Sequence, residues 1–136
     1  MAILDTNVLI RYFTEDDKEQ SERAIALIED VEDRRRSVTL TEAVLTETIR
    51  ILSTHWMYNI DRETIRTRVL TLPRLRQLAI RNKRLYFEAL DLYVEYSRLS
   101  FVDALCAAYA RHSDDKTVIS FDRDFRNFPD LVWEQP

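Results

Sequence analysis

At 136 residues, 46% hydrophobic and 32% charged, the chain has the composition of one globular domain over 1–136, long enough to bury a core without disulfide staples. A single cysteine excludes an intrachain disulfide and a Cys-rich zinc module, and two histidines argue against a His-rich zinc site. Glycine is absent and the net charge is −4, so there is no glycine phosphate cradle, no G-x-G-x-x-G turn and no G-x-S-x-G nucleophile elbow.

Residues 2–4 are a short apolar run and predict a buried strand that stops at Asp5. A short helix follows over 8–13. Residues 17–33 are strongly helical, with Ala24, Ile25, Leu27, Ile28 and Val31 as the apolar face. Arg34-Arg35-Arg36 is a polar turn, and the β-prone residues 37–40 predict a second strand. The helical period returns over 41–56 through Val44, Leu45, Ile49, Ile51 and Leu52. A turn at 59–61 leads into a helix that runs to Leu72 and is ended by Pro73. Residues 75–80 predict a third strand. Helices over 83–97 and 100–112, a turn at 114–116, a buried strand over 117–121 and an edge strand at 131–134 complete the chain.

Strands alternating with helices imply parallel pairing through crossovers. The expectation is an α/β domain of three layers, with helices flanking a central, mostly parallel sheet. Cys106, set among Ala104, Leu105, Ala107 and Ala108, reads as a small core residue, and Trp56 and Trp133 read as packing residues. No apolar run approaches the ~20 residues of a membrane span. The opening residues lack a charged-then-apolar leader, so the chain is expected in the cytoplasm with no membrane partner.

Charge is unevenly placed. Residues 14–33 hold nine acids against Lys18 and Arg23, while residues 62–84 hold eight bases against Glu63. Seventeen of the twenty basic residues are arginine, whose fork matches phosphate and carboxylate alike. Arg62, Arg66, Arg68, Arg74 and Arg76 are therefore candidate RNA contacts, with a protein partner or plain solvated charge as the competing readings.

In an open parallel sheet, ligands bind outside the carboxyl ends of the strands. Two expected strands end in aspartate there, at Leu4-Asp5 and Phe121-Asp122. Each acid is a candidate ligand and equally a helix cap. Asp103 fits a capping box with Ser100, and the small residues Cys106, Ala107 and Ala110 on its face allow close packing. Glu42 completes a box with Thr39 and reads as structural. Glu47 borders the apolar stripe beside Ala43, Val44 and Ile51, so either a salt bridge to Arg50 or a metal ion must compensate it. Carboxylates gathered at one edge repel each other, and a hard divalent cation resolves the conflict. Oxygen donors without His or Cys suit Mg²⁺ or Mn²⁺, and such a centre does phosphoryl chemistry.

These residues form a pattern. The chain resembles the PIN-domain ribonucleases and, within them, the VapC-type toxins of prokaryotic toxin–antitoxin pairs. Ile3-Leu4-Asp5-Thr6-Asn7-Val8 is similar to the family's first acidic motif, Thr41-Glu42-Ala43-Val44-Leu45-Thr46-Glu47 to the second, Ser100-Phe101-Val102-Asp103 to the third and Ser120-Phe121-Asp122-Arg123-Asp124 to the fourth. The four occur in the family's order and span nearly the whole chain. The resemblance implies a metal-dependent endoribonuclease acting on structured RNA and leaving 5′-phosphate and 3′-hydroxyl ends. It implies Asp5, Glu47, Asp103 and Asp122 as catalytic metal ligands for Mg²⁺, or Mn²⁺ in its place, with Asp124 as an accessory. Thr6, Asn7 and Ser120 are the implied supporting residues. A homodimer inhibited by a small antitoxin is implied as well. The absence of glycine and the serine at 120, where threonine is common, are departures that remove no ligand.

Two other readings stand beside it. An aspartate-nucleophile phosphatase needs a second aspartate two residues after Asp5, where this chain has Asn7. A non-catalytic PIN-like domain that binds RNA or protein remains the alternative. His55 and His112 lie beside no motif.

Overall fold

Parallel pairing of short strands dictates the architecture. The computed structural model describes all 136 residues, and the chain divides into two compact units, 1–83 and 84–136. In the first unit, β1 (Ala2–Ile3), β2 (Val38–Leu40) and β3 (Leu78–Ile80) form a three-stranded sheet in that order, every pair parallel. Ala2 stands against Val38, and Val38 against Leu78. Each parallel step needs a long crossover. The first is α1 (Thr6–Phe13) and α2 (Lys18–Glu32); the second is α3 (Glu42–Thr54), α4 (Arg62–Val69) and a 3₁₀ turn at Leu72–Arg74. The second unit holds α5 (Lys83–Glu95, its first residue closing the first unit), α6 (Phe101–Arg111), β4 (Thr117–Ile119), a 3₁₀ turn at Arg123–Asn127 and β5 (Val132–Glu134). Here β4 pairs in parallel with β5. The expected central sheet is thus realised as two parallel sheets, of three strands and two.

Local chemistry sets the helix ends. The Asp17 carboxylate accepts from the Gln20 N–H at 3.0 Å and caps α2. Beyond Asp33 the chain turns through Arg34 at φ 62°, which lets the Arg35 N–H reach the Asp30 carbonyl at 2.8 Å. With no glycine available, Arg34, Asn59, Asn82 and Lys116 take the left-handed positions.

The core of the first unit is built from Leu9, Ile10, Ile28, Val31, Leu45, Ile49, Leu52, Ile65 and Leu78. In α2 the buried stripe is Ser21, Ala24, Ile28 and Val31; Ile25 lies on its flank and is exposed, contrary to expectation. A polar cluster fastens the loop after α1. Asp16 accepts from Arg11 at 2.7 Å, Thr14 at 2.8 Å and the Tyr58 hydroxyl at 2.5 Å. In the second unit Phe101 stacks on Tyr86 and meets Tyr93 edge-on. Arg111 ties Glu88 of α5 to Asp130, while the His112 ring pairs with the same Glu88.

Several expectations are corrected. Ala2 and Ile3 are exposed and only Leu4 is buried, because β1 has one partner and stands at a sheet edge. The strand expected over 117–121 stops at Ile119, and only Val118 is buried, since a two-stranded sheet covered on one face alternates inward and outward residues. Phe121 is 76% exposed. The helix expected to reach Leu72 ends at Val69, and Pro73 lies inside the following 3₁₀ turn, where no N–H is required. Trp56 is not a packing residue: it follows the end of α3, is 83% exposed, and has only the His55 ring stacked at 5.8 Å. Cys106 is exposed rather than buried, because it shares the open side of α6 with Val102 and Tyr109.

Candidate active site

The first acid sits where a strand becomes a helix. The Leu4 N–H donates to the Thr39 carbonyl at 3.0 Å, extending the ladder one residue beyond β1. Asp5 then leaves the ladder and caps α1, its Oδ2 accepting from the Asn7 N–H at 3.2 Å. Thr6 is the first helical residue. Asn7 therefore steadies Asp5 through its backbone, with its side chain exposed.

The second acid lies on α3. Thr41 caps this helix through the Val44 N–H at 3.3 Å, so Glu42 is the first helical residue rather than the third. The expected Thr39–Glu42 capping box does not form, because Thr39 and Leu40 remain extended in β2. Glu47 is half-exposed and forms a two-pronged pair with Arg50, at 2.7 and 2.9 Å. The hydrogen bonds from Arg50 hold the Glu47 carboxyl below its usual range. Both Glu47 oxygens are thereby engaged.

The second unit carries the other acids. Ser100 and Asp103 form a reciprocal capping box: the Asp103 N–H donates to Ser100 Oγ, and the Ser100 N–H to Asp103 Oδ2, each at 3.1 Å. Asp122 caps the turn Arg123–Asn127, its Oδ1 accepting from the Asp124 N–H at 2.9 Å. Ser120 Oγ accepts from the Asp122 N–H at 3.0 Å. Asp124 lies 4.0 Å from Arg98, a partner that sequence reasoning missed because the two are 26 residues apart in the chain. Arg98, Asp124, Asn127 and Ser97 line a cleft of about 220 Å³.

The cap reading holds for all three aspartates, Asp5, Asp103 and Asp122, and capping does not use up a carboxylate. Each cap uses one carboxylate oxygen, and a carboxylate has two. Asp5 keeps Oδ1, Asp103 keeps Oδ1 and Asp122 keeps Oδ2 without a protein donor. Capping restrains the side chain through that one oxygen. The donor chemistry is all oxygen, which fits a hard divalent ion. Within neither unit do three or more His, Cys, Asp or Glu side chains form a group that could hold a metal ion.

The expected RNA-contact arginines divide. Arg68 donates to the Phe13 carbonyl at 2.8 Å and so braces α4 against the end of α1. Arg74 and Arg76 have no side-chain partner and line a cleft of about 370 Å³ together with Arg34, which the sequence presented only as part of a polar turn.

The model of the PIN domain family matches residues 2–131. The chain belongs to the PIN-domain family, whose members are in general nucleases and generally use divalent metal ions. A solved structure of VapBC2 from Rickettsia felis, bound to a DNA fragment from their promoter, is similar at 15% identity over 99% of this chain and 98% of that one, with a TM-score of 0.38. No curated protein matches the chain. No helix is long and apolar enough to cross a membrane.

Proposed function

We propose that this PIN domain is a metal-dependent endoribonuclease that hydrolyses phosphodiester bonds in structured RNA, acting as the toxin of a type II toxin–antitoxin pair. One observation carries the nuclease reading. Asp5, Asp103 and Asp122 are each locked by a cap at the position of an acidic motif, and each keeps an unbonded carboxylate oxygen. The four motifs and their order support the toxin reading, with a small antitoxin protein and a second copy of the chain as partners in the cytoplasm.

Asp5, Glu47, Asp103 and Asp122 are the residues assigned to hold Mg²⁺, or Mn²⁺ in its place, with Asp124 as an accessory acid. A divalent ion bound there would supply a more acidic water and charge neutralisation for phosphoryl chemistry. The chain's own residues do the positioning. The Asn7 N–H fixes Asp5, Ser120 fixes the backbone of Asp122, and the Ser100 N–H fixes the Asp103 carboxylate. Arg50 braces the Glu47 carboxylate through two hydrogen bonds, leaving further lone pairs on both oxygens. Thr6, at the first turn of α1, is assigned to orient water beside Asp5.

The test is incubation of total cellular RNA with the purified, partner-free protein in Mg²⁺, Mn²⁺ or EDTA, beside Asp5→Asn. Discrete 5′-phosphorylated fragments that vanish in EDTA and in the variant are expected. Cleavage that persists in either would overturn the assignment. The closed two-pronged pair of Glu47 with Arg50 favours a second reading, a PIN domain that binds RNA or protein without cutting it. Calorimetric titration with Mn²⁺ separates the two: heat of binding lost in Asp5→Asn supports the nuclease, and no heat supports the binding domain.

A further inference from the structure

We propose that the arginine-lined cleft of the first unit, at the amino ends of β2 and β3, grips backbone phosphates of RNA. This inference rests on the ribonuclease reading for the identity of its ligand. The cleft, about 370 Å³, is lined by Arg34, Arg74 and Arg76 with Tyr12, Thr71 and Glu32. None of the three guanidiniums has a protein partner. By contrast, Arg35 of the same turn is paired with Asp30 and Asp33 at 2.7 and 2.6 Å. Three unpaired forks against one carboxylate leave the cleft with two excess positive charges, in a chain whose net charge is −4. Like charges held together repel unless an anion intervenes, and the guanidinium fork matches a phosphate oxygen pair.

The fold assembles this cleft from distant sequence. Parallel pairing of β2 with β3 puts the Val38 N–H on the Gln77 carbonyl at 2.9 Å and Ser37 Oγ on Gln77 Oε1 at 2.7 Å. The segments just before the two strands, which carry Arg34 on one side and Arg74 and Arg76 on the other, are therefore brought alongside. Arg34 does so from a left-handed backbone, φ 62°, at a helix end where glycine or asparagine is the comfortable residue. The cleft lies at the amino ends of the strands, whereas Asp5 follows the carboxyl end of β1. It is thus a grip remote from Asp5, one that only an RNA longer than the scissile step engages. Tyr12 lines the same cleft.

The experiment is binding of bulk transfer RNA in EDTA across a salt series, for the wild type and for Arg34→Ala, Arg74→Ala, Arg76→Ala and the triple variant. Each substitution is expected to weaken binding several-fold and to reduce the slope of log affinity against log salt by about 0.7–0.9. Arg35→Ala, which removes the same charge from the same turn, is expected to change neither. Arg34→Gly keeps the result independent of folding: it is expected to raise the Tm and still weaken RNA binding. Unchanged affinity and slope in the triple variant overturn the proposal, as does a loss in Arg35→Ala equal to that in Arg34→Ala. A poly-glutamate peptide that binds as tightly as RNA and depends on the same arginines also overturns it, in favour of an acidic protein segment. The two readings fail separately. Arginine-dependent binding by a protein that never cuts RNA sinks the nuclease and leaves the grip, while cutting unaffected in the triple variant on long RNA sinks the grip and leaves the nuclease.

Discussion

Asp5 caps α1 with one oxygen, the proposed nuclease would use the other, and substitutions can part the two roles. Asparagine caps a helix about as well as aspartate but carries no charge. Asp5→Asn is therefore expected to keep its Tm within measurement error while RNA cleavage falls about 100-fold or more. Asp5→Ala loses the cap as well and is expected to cost about 1 kcal/mol of stability in a denaturant titration. Glu47 offers a test with pH. Arg50 holds its carboxyl below the usual range, so Glu47 stays ionised further into acid than an unpaired glutamate. Arg50→Ala should return that carboxyl toward its ordinary value and move the acid limb of the cleavage profile to higher pH. Glu42→Gln, one turn away at the start of α3, is expected to leave cleavage nearly unchanged, whereas Glu47→Gln lowers it.

Elements here begin and end on short-range chemistry. Asp17, Thr41, Asp61 and Ser100 each cap a helix by accepting from an N–H three residues on. Such caps are legible in sequence because donor and acceptor are neighbours in the chain, and the Ser100–Asp103 box shows it. The Thr39–Glu42 box was misplaced because pairing of β2 with β3 keeps Leu40 extended, a long-range cause that a four-residue motif does not carry. Ser100→Ala is expected to cost about 1 kcal/mol in thermal unfolding, while the backbone N–H at position 100 still holds the Asp103 carboxylate. Lys116 takes φ 53° in the turn before β4. Lys116→Gly is expected to stabilise the chain by roughly 0.5–1 kcal/mol, as relief of a left-handed non-glycine residue.

At the scale of the whole molecule, acid stability is where one cluster speaks for distant segments. Asp16 is held down to about 2 by the Tyr58 hydroxyl first, then by Thr14 and Arg11. Its folded pKa is depressed, so its contribution is complete above the unfolded value near 3.8 and fades as pH falls through about 2. With solvent screening at this loop the contribution is about 1 kcal/mol. Melts at pH 5 and pH 2 check it: wild type is expected to exceed Asp16→Asn at pH 5, and the gap is expected to narrow sharply at pH 2. Tyr58 lies 42 residues from Asp16, and nothing in the intervening sequence announces that contact.

What the sequence determined by itself is what composition and local spacing carry. The missing glycine excluded whole classes of nucleotide site. Hydrophobic period placed the helices and all five strands to within a few residues, and four acids in ordered motifs marked the family. Tertiary structure alone decided exposure and convergence. Ile3, Phe121, Trp56 and Cys106 read as apolar and therefore interior, yet they are exposed, because burial depends on whether a partner element covers a face and not on the side chain's own hydropathy. Arg34, Arg74 and Arg76 are one cleft only because two parallel strands begin side by side. Contacts over 40 residues are set by chain pairing, whose pattern a single sequence does not display.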